Sequence, residues 1–196
     1  MTSWLTEIML SGFGVTLEPL KVEHAEELRL AVQDGELWKL WFTLVPQPDE
    51  VEAYINTALQ AHRAGSAVPF LIRTSHDNKA VGSTRFCNID HLNQRAEIGY
   101  TWLAKSTQRT SVNSACKLLL LQHVFETKQA IAVEFRTHWH NHASRAAILR
   151  LGAKQDGVLR QHRRESHGGF RDTVVYSILD NEWPPVKQGL IAALNR

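Results

Sequence analysis

The sequence predicts an α/β or α+β fold in which one mixed sheet of about seven strands is flanked by helices. Segments that alternate apolar and polar residues are interleaved with segments whose apolar residues recur at helical spacing. The chain has 196 residues, of which 43% are hydrophobic and 21% are charged, as in a folded globular protein. Length and composition together predict a single domain over residues 1–196.

The N-terminal part of the chain predicts a strand, two helices and a hairpin. The second helix begins at Asp49, a residue type that caps helix N-termini. The hairpin strands are separated by Asp77-Asn78, which favours a turn. These elements are a strand over residues 13–20, helices over 23–32 and 49–65, and strands over 67–74 and 80–88.

The C-terminal part predicts four more strands and three more helices. Gly152 suits the position that follows a helix, and Ser166-His167-Gly168-Gly169 favours a turn between the last two strands. The strands cover residues 96–103, 132–138, 156–164 and 171–179, and the helices begin near 110 or cover 141–151 and 181–194.

The segment from residue 96 to residue 121 predicts a strand, a short polar loop and a helix. Strict alternation would place Ile98, Tyr100 and Trp102 on one face and Glu97, Gly99 and Thr101 on the other. The first N–H groups of a helix have no partner inside it, and the helix dipole is positive there. This end of the helix is therefore a candidate anion site, or an ordinary connection that binds nothing.

Charge and cysteine content exclude several classes of protein. The formal net charge of +2 gives no general field for nucleic acid or a membrane surface. No apolar run is long enough to span a membrane, and residues 1–10 have no basic start, so we expect neither a membrane protein nor a signal peptide.

Two cysteines, Cys87 and Cys116, predict a reduced, cytoplasmic protein without a disulfide scaffold. The alternating His138, His140 and His142 fix no converging ligand set, so we expect no metal.

Residues 102–121 resemble the acetyl-CoA loop of GNAT-fold N-acetyltransferases, especially the branch that contains the ribosomal-protein alanine and serine N-acetyltransferases. That loop has the form Gln/Arg-x-x-Gly-x-Gly/Ala. Gln108 fits its first position, whereas Ser111 and Asn113 stand at its two glycine positions. If the backbone at Ser111 needs a positive φ, serine is strained there; otherwise it supplies the same N–H. The resemblance implies that acetyl-CoA contacts Trp102, Leu103, Gln108, Arg109, Thr110, Ser111, Val112 and Asn113.

Residues 141–153 resemble a second segment of the same family, Asn-x-x-Ser-x-x-Ala-x-x-x-Leu-Gly-Phe/Ala. The resemblance places Asn141 and Ser144 beside the pantetheine arm of acetyl-CoA. The plainer alternative is that Asn141 only caps a helix. Two motifs in the family's order are more specific than either alone. The order of the predicted elements is also that of the GNAT fold.

Acetyl transfer to an amine needs an acceptor for the amine proton, a donor to the carbonyl oxygen and a group near the leaving sulfur. Glu97 is the candidate proton acceptor, unless it is an ion-paired or solvated strand residue. By resemblance, a backbone N–H near Trp102 or Leu103 is the oxyanion donor. Many family members have a tyrosine acid where this chain has Ile148. The resemblance to the ribosomal-protein branch instead implies that Ser144 lies beside the sulfur.

The acceptor pocket is expected between the segment that joins the first two helices and the last hairpin. Trp38, Trp41 and Phe42 are its candidate residues, although core packing would also explain them. The resemblance implies transfer from acetyl-CoA, without a metal, to a protein N-terminal α-amine or a small-molecule amine. A CoA-binding module with weak or no catalysis is the alternative. A homodimer is compatible with the sequence.

Overall fold

The computed structural model describes residues 4–165 and 168–195 and contains an eight-stranded sheet. The strands are β1 (Leu10–Gly12), β2 (Val15–Pro19), β3 (Ala67–Thr74), β4 (Ala80–Asp90), β5 (Arg95–Leu103), β6 (Ala132–His138), β7 (Lys154–Arg164) and β8 (Phe170–Leu179). The helices are α1 (Ala25–Gln33), α2 (Val51–Arg63), α3 (Val112–Gln122), α4 (His142–Arg150) and α5 (Trp183–Leu194).

The predicted α/β fold class and element order are confirmed. The strand order is β1-β2-β3-β4-β5-β6-β8-β7, and the sheet is mixed because β5 and β6 run parallel while the other neighbours are antiparallel. The additional strand is β1, a three-residue edge strand that pairs with β2. Within the turn predicted at residues 166–169, Ser166 and His167 lie outside the described residues.

Helices cover the two faces of the sheet unequally. One apolar core lies under α3 and α5 and includes Leu118, Phe135 and Tyr176. A smaller core lies on the opposite face, where α1 and α2 cover part of the sheet. We call these the α3 face and the α1 face. In the described ranges, no helix is long and apolar enough to cross a membrane.

Strands β5 and β6 separate after only three residue pairs, from Arg95↔Ala132 to Glu97↔Glu134. Beyond them β5 contains a bulge, because Tyr100 and Thr101 lie opposite the single residue Thr84 of β4. Tyr100 has a φ of 52°, in the left-handed region. The diverging strands therefore leave a cleft that begins beside Glu97.

The bulge makes the strict alternation predicted for β5 wrong. Ile98 packs in the α3-face core, whereas Trp102 packs in the α1-face core and Leu103 returns to the α3 face. Thr101 accepts a hydrogen bond from Lys117 of α3, so it does not share a face with Glu97. The extra residue of a bulge reverses the direction of every side chain after it.

Candidate active site

Ser111 is the N-cap residue of α3 and has φ −68° and ψ −16°. This is ordinary right-handed backbone, so a glycine is not required at this position and serine is unstrained. The positive φ of the loop belongs instead to Arg109, at 63°. Gln108 fastens the loop to the end of β5 by donating from Nε2 to the carbonyl of Leu103 at 3.0 Å.

The first turn of α3 presents backbone N–H groups at the open end of the cleft. Thr110 Oγ1 donates to the carbonyl of Thr107 at 2.6 Å and accepts from the N–H of Val112 at 3.3 Å. Helix geometry gives the amides of Ser111 and Asn113 no intrahelical acceptor, so they are available to a ligand. Together with the helix dipole they form a site suited to a phosphate group.

Asn141 caps α4, since its Oδ1 accepts from the N–H of Ser144 at 3.1 Å. The Asn141 side chain therefore acts as a helix cap in the structure, which was the plainer alternative. Ser144 is half-buried, and its side chain makes no hydrogen bond within the described part of the chain. Ile148 is buried in the α3-face core.

Glu97 is 7% exposed and lies where β5 and β6 begin to separate. Asn88 donates from Nδ2 to Glu97 Oε2 at 2.6 Å, and Arg136 Nε lies 3.5 Å from the same oxygen. Burial raises the pKa of the Glu97 carboxyl and outweighs these two partners, which lower it. A raised pKa makes the carboxylate a better proton acceptor than an exposed glutamate.

Gly99 keeps open the space in which the Glu97 carboxylate lies. A Cβ at this position would be 2.8 Å from Glu97 Oε1 and 3.2 Å from Cys87 Sγ. Any side chain at residue 99 would therefore displace the carboxylate. Sequence alternation placed Gly99 and Glu97 on one face, and the structure agrees on this pair.

The segment that joins α1 to α2 lies against the end of β6. The Trp41 ring is 5.0 Å from the His138 ring, and the Phe42 ring is 5.6 Å from the Trp41 ring. Trp41 is 54% exposed and lines a cavity of about 210 Å³. Trp38 instead packs against the α1-face core. The other lining residues of the cavity are His138, Trp139, His140, Glu165, Phe170, Arg171 and Asp172.

His138 belongs to the candidate site, although the sequence offered it only as a weak metal candidate. Its Nδ1 accepts from the N–H of His140 at 3.0 Å, so in the neutral ring the proton is on Nε2, which lies 2.8 Å from Glu165 Oε1. Both ring nitrogens are thus used to fix the cavity wall. Within the described ranges, no group of three or more His, Cys, Asp or Glu side chains is arranged to hold a metal ion.

A family model described as "Acetyltransferase (GNAT) domain" matches residues 15–154. The chain belongs to the GNAT acetyltransferase family. A curated relative in this family is the Bacillus subtilis protein named "Putative ribosomal N-acetyltransferase YdaF", which is 28% identical over 172 residues. The match covers 86% of this chain and 93% of that protein.

Solved structures show the same GNAT fold. A GCN5-related N-acetyltransferase from Brucella melitensis has a TM-score of 0.86 and 28% identity, covering 97% of this chain and 86% of that one. RimL, a ribosomal L7/L12 α-N-protein acetyltransferase solved with coenzyme A, has a TM-score of 0.75 and 20% identity. That comparison covers 89% of this chain and 99% of RimL, and it supports the fold alone.

Proposed function

We propose that this GNAT acetyltransferase moves the acetyl group of acetyl-CoA onto the α-amine of a protein N-terminus, by direct attack of the amine. The observation that carries the proposal is the arrangement of one cleft, which has the free amides of α3 at its open end and the buried Glu97 carboxylate where its strands meet. The name of YdaF, which refers to ribosomal N-acetylation, supports a protein acceptor.

The residues around the α3 N-terminus fit a pyrophosphate. Ser111 has helical backbone and leaves its N–H in place, and the loop before it is exposed. Gln108, Arg109, Thr110, Ser111, Val112 and Asn113 would hold the phosphates, and the backbone of Trp102 and Leu103 would lie beside the acyl group. Asn141 and Ser144 would flank the pantetheine arm. Acetyl-CoA supplies the activated acyl group when it is bound.

The chain's own groups then have three tasks. Glu97 accepts the proton of the attacking amine, directly or through a water molecule. A backbone N–H at the end of β5 donates to the carbonyl oxygen as negative charge develops on it. Ser144, whose hydroxyl bonds to no described residue, donates a hydrogen bond to the leaving sulfur, as the resemblance to the ribosomal-protein branch implies. Positioning of the amine in the aromatic cavity supplies the rest of the rate enhancement.

The acceptor enters between the α1–α2 segment and the end of β6. Trp41 and Phe42, with the fixed His138 behind them, form an aromatic wall at this entrance. A free small-molecule amine is the second candidate acceptor, since a cavity of about 210 Å³ accommodates one or two residues of a peptide as well as a metabolite.

We also propose that residues 1–196 form a single catalytic domain. We propose a cytoplasmic location as well, which the buried free thiols of Cys87 and Cys116 support.

Acetyl-CoA binding and transfer can be tested in two steps. Acetyl-CoA at 100 times its dissociation constant should stabilise the fold by about 2.7 kcal/mol, whereas ATP should not. Peptides with a free α-amine should then gain one acetyl group, and peptides whose α-amine is dimethylated should not. Acetyl-CoA binding without transfer to any peptide or small amine would instead favour a non-catalytic CoA-binding module.

A further inference from the structure

Arg85 of β4 is a buried arginine for which no described residue provides a polar partner. It is 4% exposed, and its Nε is enclosed and bonds to no acceptor within residues 4–165 and 168–195. Its guanidinium carbon lies 4.1 Å from the ring centroid of Tyr100 and 5.0 Å from that of Tyr54. No carboxylate of the described residues forms an ion pair with it.

A buried charge without a partner is costly to the folded state. Stacking on aromatic rings recovers only part of that cost, because no described residue accepts a hydrogen bond from the N–H groups at the edge of the guanidinium. Those groups lie in one plane and match the two oxygens of a carboxylate. The arrangement therefore suits an anion that comes from outside the chain.

The two rings that hold Arg85 are themselves held in place. Tyr54 Oη accepts a hydrogen bond from Trp102 Nε1 at 3.3 Å. Tyr100 is the residue whose positive φ creates the bulge in β5. The irregularity that opens the cleft thus also places a tyrosine ring over the guanidinium.

Arg85 lies next to the proposed proton acceptor. In the β4–β5 register, Arg85 is opposite Gly99 and Cys87 is opposite Glu97. Arg85 and Glu97 are therefore diagonal neighbours on the α1 face, at a typical Cα separation of roughly 7–8 Å. Gly99 has no side chain to separate them. An anion held by Arg85 would be within a few bonds of an amine that contacts Glu97.

Two more arginines add positive charge on the same side of the cleft. Arg163 of β7 lies directly opposite Arg171 of β8, a like-charged pair whose repulsion the nearby Glu165 carboxylate offsets only in part. Burial and the charge of Arg163 lower the pKa of Arg171. Arg171 also lines the acceptor cavity and lies within electrostatic reach of Glu97 and Tyr100.

From these contacts we propose that Arg85 binds a carboxylate of the acceptor, placed within one residue of the reacting amine, and that Arg163 and Arg171 favour the same negative charge. The proposal rests on the proposed function and specifies its substrate class. The carboxylate comes from an acidic side chain at the start of a peptide or from the α-carboxylate of a free amino acid. Both sources present the same planar group to the guanidinium.

Matched acceptors separate these sources. We would compare peptides that begin Ser-Asp and Ser-Asn, and free serine with serine amide, in wild type, Arg85→Met and Arg85→Lys. We expect kcat/KM of the wild type to favour a carboxylate acceptor roughly 10- to 100-fold, the factor that a charge-assisted hydrogen bond provides. Arg85→Met should remove that preference by raising KM and leave the neutral acceptor nearly unchanged. Arg85→Lys should retain part of it.

Binding provides a second readout that does not depend on catalysis. Nα-dimethylated Ser-Asp and Ser-Asn peptides would be titrated by calorimetry into the CoA-bound protein, with Arg63→Met, an exposed arginine on α2, as the control variant. Unaltered acetyl-CoA affinity would show that Arg85→Met is folded. Equal binding of both peptides by wild type, or an equal loss of both in Arg85→Met, would overturn the proposal. Selective binding without any transfer would overturn the proposed function alone.

Discussion

Alanine at position 99 should disable catalysis while leaving the fold and the acetyl-CoA site intact. The new Cβ would be 2.8 Å from Glu97 Oε1. Since comfortable contacts between heavy atoms begin at about 3.5 Å, the carboxylate must retreat by about 0.7 Å. The displaced atom is the end of a flexible side chain, and the backbone at residue 99 does not require a positive φ. The strand therefore accepts alanine, but the hydrogen bond between Asn88 and Glu97 does not remain at 2.6 Å.

Displacement of a proton acceptor by about 1 Å can cost about 100-fold in rate, which corresponds to about 2.7 kcal/mol of transition-state free energy. We expect kcat of Gly99→Ala to fall by about this factor while the Kd for acetyl-CoA changes less than about twofold. Steady-state kinetics and calorimetry measure the two quantities.

Gly189→Ala is the matched control, because a Cβ there would meet no atom of the described residues within 4 Å. That variant should keep full activity and gain about 0.5–1 kcal/mol in the free energy of unfolding, since alanine favours a helix. A Gly99→Ala enzyme within threefold of wild-type kcat would refute the argument that the position of Glu97 controls the rate.

Three further variants test other parts of the account. Ser111→Gly should leave the Kd for acetyl-CoA within about twofold in calorimetry, because φ at Ser111 is −68°. Lys117→Met should raise the unfolding free energy at pH 7 by up to about 3 kcal/mol in urea titrations, since burial lowers the pKa of Lys117 to about 8. That gain should shrink as pH rises from about 8 to 10.5, because the folded lysine loses its proton through its lowered pKa before the unfolded lysine does. Arg73→Met should cost about 1–3 kcal/mol, because Arg73 bonds Glu18 at 2.7 Å and Glu27 at 2.6 Å. Arg73 lowers the pKa of Glu27 in the folded protein. The stabilisation is therefore fully present above the pKa of an unfolded glutamate, about 4.3, and is lost as pH falls through the lower pKa that Glu27 has in the folded protein.

The sequence predicted the elements that carry local signals. The strand, loop and helix around residues 96–121 were predicted because alternation, a polar loop and an apolar helix are all local patterns. Strand β1 was missed because three residues are too short to show a period. The direction of Trp102 was wrong because a bulge at Tyr100 has no reliable sequence signature.

The candidate site was predicted only in part, because much of it is made by contacts between distant residues. The motifs placed Gln108 and Ser111 at the start of α3, but they could not show that Arg109, not Ser111, takes the positive φ. His138 and Glu165 are 27 residues apart in the sequence and come into contact only in the folded chain, as do Arg85 and the Tyr54 ring. An isolated arginine in a strand gives no sign that it will be buried without a partner.

The central claim is that Glu97 accepts the amine proton in this GNAT acetyltransferase, and the pH dependence of kcat tests it most directly. Wild type and Glu97→Gln would be compared at saturating acetyl-CoA and acceptor from about pH 5 to 9. Burial raises the pKa of Glu97, so kcat of the wild type should rise with pH through an apparent pKa above that of an exposed glutamate. Glu97→Gln should lose this rise and about 10²–10⁴ in kcat. A glutamine variant with the wild-type profile and rate would contradict the claim.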